Sequence, residues 1–298
     1  VRLSALIQVY NEELCIGPCL AGLLPVVDEL VIVHGGPDGV SDDNTMEFIK
    51  TAMFEYPEKM VYLEGMYRQE DNQWDHTRQN NLGLELVTGD FLIRTHADLI
   101  YDIDDVAKIR EAIEKFPDMK YFYAPMIDFY ADTDHILLPA FIKPEELLAR
   151  PHCGDPVAIS MKANPIYVNY EYGDGWTKSG MQMSLDWIHD VVYLPHINRY
   201  HYAFVKPFKL QVAKMYRNLM RGQYETLGEE LKQSGERYIY QWIIDQVLQY
   251  EHHPARRVYA GDYPSVDDPI HYMTSQDGYD EFIEEFQTTY FRELAGVE

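Results

Sequence analysis

Three short polar clusters each follow an apolar run: Tyr10-Asn11-Glu12-Glu13 after residues 3–9, His34-Gly35-Gly36 after 29–33, and His96-Ala97-Asp98 after 91–95. Carboxylates and imidazoles move protons or hold divalent cations, and glycine lets a ligand approach the backbone closely. Such groups do chemistry only when they are gathered in one place. In an open parallel sheet, ligands bind outside the carboxyl ends of the strands, so residues that follow successive strands collect along one edge. That edge is where a nucleotide would bind.

The elements that must position these clusters are legible in the same stretch. Helical spacing is expected over 14–24, 46–54 and 77–87, with Ser41-Asp42-Asp43-Asn44-Thr45 offering N-cap residues for the second helix. A third short strand is expected over 60–63. Strand and helix thus alternate through the first hundred residues, which predicts an α/β fold with a mostly parallel sheet flanked by helices. From 121 to 202 the pattern changes to short aromatic-rich strands with one helix candidate near 144–149. Residues 207–250 return to helical spacing, and 251–298 mix proline-rich loop with a short acidic helix. The economical division is a catalytic-type domain over 1–204 and a helical C-terminal subdomain and tail over 205–298.

Composition narrows the partners. The 298 residues are 46% hydrophobic and 25% charged, an ordinary globular mixture with enough chain for a large core. Lys plus Arg number 25 against 49 Asp plus Glu, a net charge of −24. The average field therefore repels nucleic acid and anionic membranes, although a local basic groove would escape that argument. Three cysteines, Cys15, Cys19 and Cys153, make no disulfide framework, and the first two read as buried thiols on one helix face. No apolar stretch approaches the ~18 residues of a membrane span. The N-terminus goes directly into a strand pattern without a charged leader, so the expected location is cytoplasmic.

Taken together, "ALIQVYNEELCIGPCLAGLLPVVDELVIVHGG", "SDDNT" and "TRQNNLGLELVTGDFLIRTHAD" resemble a family 2 glycosyltransferase with the GT-A fold. The resemblance runs from residue 3 to about 105 in order and spacing. A second stretch, "INRYHYAFVKPFKLQVAKM", is similar to the family's late His-Tyr segment with its basic helix. The resemblance implies a transferase that takes its sugar from a nucleotide-sugar, most often a UDP-sugar. It puts Tyr10 and Glu12 against the nucleoside and Arg78 near the base or phosphates. His34 and Gly35 would line the same pocket, and His96, Ala97 and Asp98 would occupy the D-x-D position. Asp98 would be the acid that coordinates a divalent metal, Mn2+ or Mg2+, and His201 the late residue that completes the metal site. Two positions depart from the pattern: His96 stands for the first acid of the D-x-D, and His34 for the Asp after strand two. The insertion Pro37-Asp38-Gly39-Val40 also pushes Asp43 off the usual spacing.

An inverting transferase needs a carboxylate near the acceptor hydroxyl. The candidates are Asp174, Asp155, Glu171 and Asp186, with Asp174 leading because it lies in the glycine-rich "YGDGW" beside Trp176, a platform for a sugar face. Residues 171–183 read as a loop able to close over the donor sugar. Lys206, in a basic strip with Lys209 and Arg217, or else Arg199, would meet the diphosphate. The acceptor stays open among a glycan, a lipid-linked sugar, a protein and a small molecule. Two further readings stand beside the transferase: a catalytically weakened GT-A domain acting as a binding or scaffold module, and a viral-type glycosyltransferase acting on modified DNA bases, which the net charge weighs against.

Overall fold

In the computed structural model, residues 1–36, 39–65, 75–130, 135–137, 156–172, 176–182, 190–204 and 256–258 are described. The strands are β1 (Leu3–Val9), β2 (Glu29–His34), β3 (Met60–Glu64), β4 (Phe91–Arg94), β5 (Leu99–Ile100), β6 (Tyr121–Tyr123) and β7 (Met126–Tyr130). They continue with β8 (His135–Leu137), β9 (Ala158–Ser160), β10 (Ile166–Tyr172), β11 (Trp176–Gln182), β12 (Val191–Tyr193), β13 (Arg199–Phe204) and β14 (Arg256–Val258). The helices are α1 (Ile16–Leu23), α2 (Thr45–Glu55), α3 (His76–Glu85) and α4 (Ile103–Lys115).

Seven strands form the central sheet in the order β12-β6-β9-β4-β1-β2-β3. The pairs β4–β1, β1–β2 and β2–β3 are parallel, while β9 runs antiparallel between β4 and β6. A strand covered on both faces has no side for solvent, which explains why β1 and β2 read as unbroken apolar runs rather than alternating ones. Every residue of β2 is buried. On one face Leu3, Ala5, Ile7 and Val9 pack with Ile16, Leu20 and Leu23 of α1, Ile49 of α2 and Val106, Ile109 and Ile113 of α4. On the other, Leu6, Val31 and Val33 meet Leu84 of α3 and Tyr167 of β10. Truncating one such buried aliphatic side chain to Ala typically costs about 2–5 kcal/mol.

A second sheet of five strands, β14-β8-β7-β13-β5, stands beside the first. Its own core joins Cys15, Ile100, Ile127, Phe129, Tyr200 and Tyr202. Two ties hold it to the rest. Asp105 in the first turn of α4 accepts the amide of Asn198 at 3.0 Å, fixing the entry to β13. The Tyr202 amide donates to the Asp98 carbonyl at 2.9 Å, fixing β13 against the turn before β5. A buried carboxylate, Glu29, fastens the opposite end of the central sheet: it accepts from Ser4 Oγ at 2.6 Å, from the Thr88 amide at 2.8 Å and from Thr88 Oγ1 at 2.6 Å.

The segment expected to be a closing loop is instead a two-stranded antiparallel ribbon, with Tyr172 opposite Trp176 and Ile166 opposite Gln182. Alternating β-branched and aromatic residues favour a paired strand over a mobile loop. What remains of the loop, residues 173–175, lies outside the described residues, as do the helix candidate at 144–149 and nearly all of 205–298. The strand β14, from that C-terminal stretch, pairs antiparallel with β8.

Candidate functional site

The carboxyl ends of β1, β2 and β4 lie on one edge, and two loops there are stitched together. After β1 the chain turns at Asn11, which takes a left-handed conformation with φ 51°. Its amide donates to Ser41 Oγ at 2.9 Å, the Glu12 amide to Thr45 Oγ1 at 2.8 Å and the Glu13 amide to Asp43 Oδ2 at 3.1 Å. In return Glu13 Oε2 accepts from the Asn44 amide at 3.1 Å and from Asn44 Nδ2 at 2.9 Å. The polar residues of 11–13 and 41–45 thus satisfy each other's backbone groups. The other oxygen of Asp43 accepts from the Thr45 amide at 3.0 Å, so this carboxylate is committed to backbone donors at the start of α2.

His34 closes the same seam from below. It is fully buried, with Nδ1 2.8 Å from Tyr62 Oη and Nε2 2.9 Å from Ser41 Oγ. The Ser41 amide also donates to Nε2, at 3.2 Å, and Tyr62 Oη donates to Glu64 Oε2 at 3.1 Å. These directions agree on one tautomer: Nε2 accepts, Nδ1 carries the proton, and the ring is neutral. Burial holds His34 below the usual imidazole range, against the pull of Glu64 and Asp43. Burial and the Glu64 hydrogen bond together push the Tyr62 phenol up to about 12. His34 therefore braces the 35–41 turn with both ring nitrogens.

Gly35 and Gly36 serve the chain's own close contacts. Gly35 sits at φ +149°, and a Cβ there would lie 2.4 Å from the Gly65 carbonyl oxygen. Its own carbonyl accepts from Gln8 Nε2 at 3.1 Å and Gln79 Nε2 at 3.0 Å, which draws the start of α3 against the turn. A Cβ on Gly36 would lie 2.3 Å from the Tyr10 ring, so that ring is stacked on the turn. Arg78 is exposed on the first turn of α3, where its amide is capped by Asp75 Oδ1 at 2.8 Å.

Asp98 and His201 are brought together from strands far apart in sequence. The antiparallel register of β5 and β13 sets His201 opposite Leu99, and His201 Nε2 lies 3.8 Å from Asp98 Oδ1. That is too long for a hydrogen bond. It is short enough for one cation with bonds of about 2.0–2.2 Å to reach both atoms. Asp98 is 7% exposed. His96 is partly exposed on the same turn, where its carbonyl accepts from Cys19 Sγ at 3.5 Å. Burial, and then the nearby Asp98 charge, push the Cys19 thiol up, which makes it an inert packing group. Ala97 is buried in the main core. Among the described residues no group of three or more His, Cys, Asp or Glu side chains is placed to hold a metal ion.

One residue of this site escaped the sequence reading. Asp128 of β7 lies opposite His201 in the parallel β7–β13 register, its Oδ1 2.5 Å from His201 Nδ1. The signal for it was an acid inside an otherwise apolar strand, Met126-Ile127-Asp128-Phe129. Asp174, Asp155, Asp186 and Lys206 lie outside the described residues. For Glu171 only the strand backbone is described, opposite Thr177.

Residues 4–144 match the family model described as glycosyl transferase family 2. No curated protein matches the chain. Among solved structures, residues 1–349 of TarS from S. aureus share 12% identity at a TM-score of 0.43, with 85% of this chain and 73% of that one covered. A longer S. aureus TarS structure shares 13% at 0.43, and the match spans only 44% of its length and 86% of this chain. Glucosyl-3-phosphoglycerate synthase from Mycobacterium tuberculosis, solved with Mn2+, UDP and glucosyl-3-phosphoglycerate, shares 15% at 0.39, with 74% and 80% covered. Among the described residues no helix is long and apolar enough to cross a membrane.

Proposed function

We propose that this chain, whose residues 4–144 match the glycosyl transferase family 2 model, is a glycosyltransferase that moves a sugar from a nucleotide-sugar, a UDP-sugar first among them, to an acceptor hydroxyl with the help of a divalent cation. The observation that carries the reading is the approach of Asp98 and His201 to 3.8 Å at the carboxyl edge of the sheet. A carboxylate and an imidazole, both largely shielded from solvent, are a suitable pair for Mn2+ or Mg2+, with Mn2+ the better match to nitrogen. When bound there, such a cation would neutralise the charge that develops on the departing diphosphate.

The chain's own residues do the remaining work. Tyr10, held on Gly36, offers an aromatic face beside the stitched loops, and Arg78 offers an exposed guanidinium at the start of α3. In this reading the first packs on the nucleoside and the second pairs with phosphate or base edge. Glu12 completes the nucleoside side and His96 the sugar-facing turn, while Lys206, two positions after β13 in sequence, would meet the diphosphate. His34 and Gly35 contribute by fixing the turn beneath the nucleoside. The acceptor proton is taken by a carboxylate sought among Asp174, Asp155, Glu171 and Asp186.

The test is a panel of nucleotide-sugars incubated with the full chain and Mn2+, Mg2+ or chelator, read by released diphosphate. Cation-dependent release from one uridine donor is the expected result. No release from any donor, together with no calorimetric binding of UDP or Mn2+, would favour the scaffold reading instead.

A further inference from the structure

A carboxylate on a largely apolar strand gives up part of its hydration and is favoured by a hydrogen-bonding partner. Asp128 follows the buried Ile127 and precedes the buried Phe129, but its own side chain is on the other face of the strand and 25% exposed, with His201 Nδ1 as its partner at 2.5 Å. A carboxylate only accepts, so Nδ1 is the donor and carries the ring proton. A ring that ligates a cation is neutral, and with its proton on Nδ1 the lone pair is on Nε2. It is also the atom that lies 3.8 Å from Asp98 Oδ1. The ring is thus gripped on one side by β7 and presents its ligating nitrogen to the other. Were Nδ1 to lose this acceptor, the ring would be released to turn, or to take the other tautomer and offer Asp98 an N–H. Either change removes the lone pair from the place where a cation would sit.

We propose that Asp128 is a positioning residue, one that fixes the tautomer and orientation of His201 and thereby sets the affinity of the Asp98–His201 pair for a divalent cation. The inference rests on the reading of Asp98 and His201 as cation ligands given above. Outer carboxylates of this kind typically change metal affinity 10–100-fold.

The experiment uses the full chain with saturating UDP and titrates Mn2+, reading free Mn2+ by electron paramagnetic resonance. Wild type, Asp128→Asn, Asp128→Ala and His201→Ala are compared, with circular dichroism as the folding control. In parallel, 15N-histidine spectra report the His201 tautomer, its resonances identified by their loss in His201→Ala. Asp128→Ala is expected to bind Mn2+ about 10–100-fold more weakly, with a shift of His201 away from the Nδ1–H form. Asp128→Asn keeps an acceptor oxygen and should lose less, roughly three- to tenfold, and it carries the test alone if the Ala variant does not fold. Mn2+ affinity within twofold of wild type in the folded variants, or an unchanged tautomer, overturns the proposal while leaving the ligand pair standing. Wild type that binds no Mn2+, or His201→Ala that binds it as well as wild type, overturns the ligand pair and the proposal together.

Discussion

Asn81 and Tyr167 exchange two hydrogen bonds: Asn81 Nδ2 donates to the Tyr167 carbonyl at 3.0 Å, and the Tyr167 amide donates to Asn81 Oδ1 at 2.8 Å. A side-chain amide on α3 thereby mimics one step of a strand ladder and docks β10 of the ribbon against the helix. Tyr167 in turn lays its ring over the Arg94 guanidinium, 5.8 Å from the ring centroid. Asn81→Ala removes both bonds and should cost about 1–3 kcal/mol. Hydrogen exchange should show the Tyr167 amide losing protection while the β1 and β2 amides keep theirs. Equal loss everywhere would mean that the ribbon and the central sheet open together.

His34 gives a pH dependence whose sign is fixed by its bonds. Burial depresses its folded pKa, and Nε2 accepts from both Ser41 groups only while unprotonated. The unfolded chain binds the proton more readily. The stability contribution is therefore complete above the unfolded value of about 6.5 and is lost as pH falls toward the folded pKa. Urea midpoints at pH 7.5 and 5.5 should differ more in wild type than in His34→Gln, which cannot titrate. Identical differences would show that other groups carry the acid sensitivity in this range.

Glu29 acts lower on the pH scale. Burial opposes its charge, but hydrogen bonds from Ser4 and Thr88, with Arg2 nearby, outweigh burial and hold the carboxyl below the usual range. Its contribution is present above the unfolded pKa of about 4.3 and disappears as pH falls through the folded one. Glu29→Gln should lower stability at pH 7 by about 3 kcal/mol and flatten the acid limb of the stability curve. Thermal unfolding between pH 3 and 7 measures both.

Gly36→Ala tests the seat of Tyr10. A methyl group there would lie 2.3 Å from the ring, so the ring must move. Weaker UDP binding, by roughly tenfold, is expected from losing one well-placed aromatic contact. Calorimetry of UDP binding checks it, and unchanged affinity would remove Tyr10 from the nucleoside pocket.

Asp98→Asn should reduce cation-dependent turnover by about 100-fold or more. The melting temperature should stay close to wild type, because the bond that locks this turn to β13 uses the Asp98 carbonyl rather than its side chain. A large drop in melting temperature with retained turnover would reverse the assignment.

The first hundred residues were readable because their signals are local. Apolar runs, a capping cluster and a helix-spaced segment each announce themselves within a dozen residues, and they became β1 to β4 with α1 to α3 within one or two positions at most ends. Asp98 and His201 stood out through resemblance, and the structure adds their 3.8 Å separation. Asp128 was not readable, since its meaning comes from a register between β7 and β13 that no local pattern encodes. The brace role of His34 was hidden for a similar reason: Tyr62, Ser41 and Glu64 reach it from different elements. The second strand of the ribbon, Trp176–Gln182, was misread as part of a loop over 171–183 because the glycines there outweighed its strand pattern.

The route by which β13 joins β5 also sets an order of events at the ribosome. Asp98 leaves the exit tunnel with the parallel strands already behind it, whereas His201 follows about a hundred residues later, some ~5–20 s at ordinary elongation rates. Over the first part of that interval, until residues 158–160 emerge, β4 has its β1 neighbour but lacks β9, and throughout it the turn at 96–98 lacks the strand that will lock it. The nascent chain can therefore hold most of the sheet while half of its proposed cation pair is still unmade. The Asp98–His201 approach is completed only when residues 199–204 slot between β5 and β7.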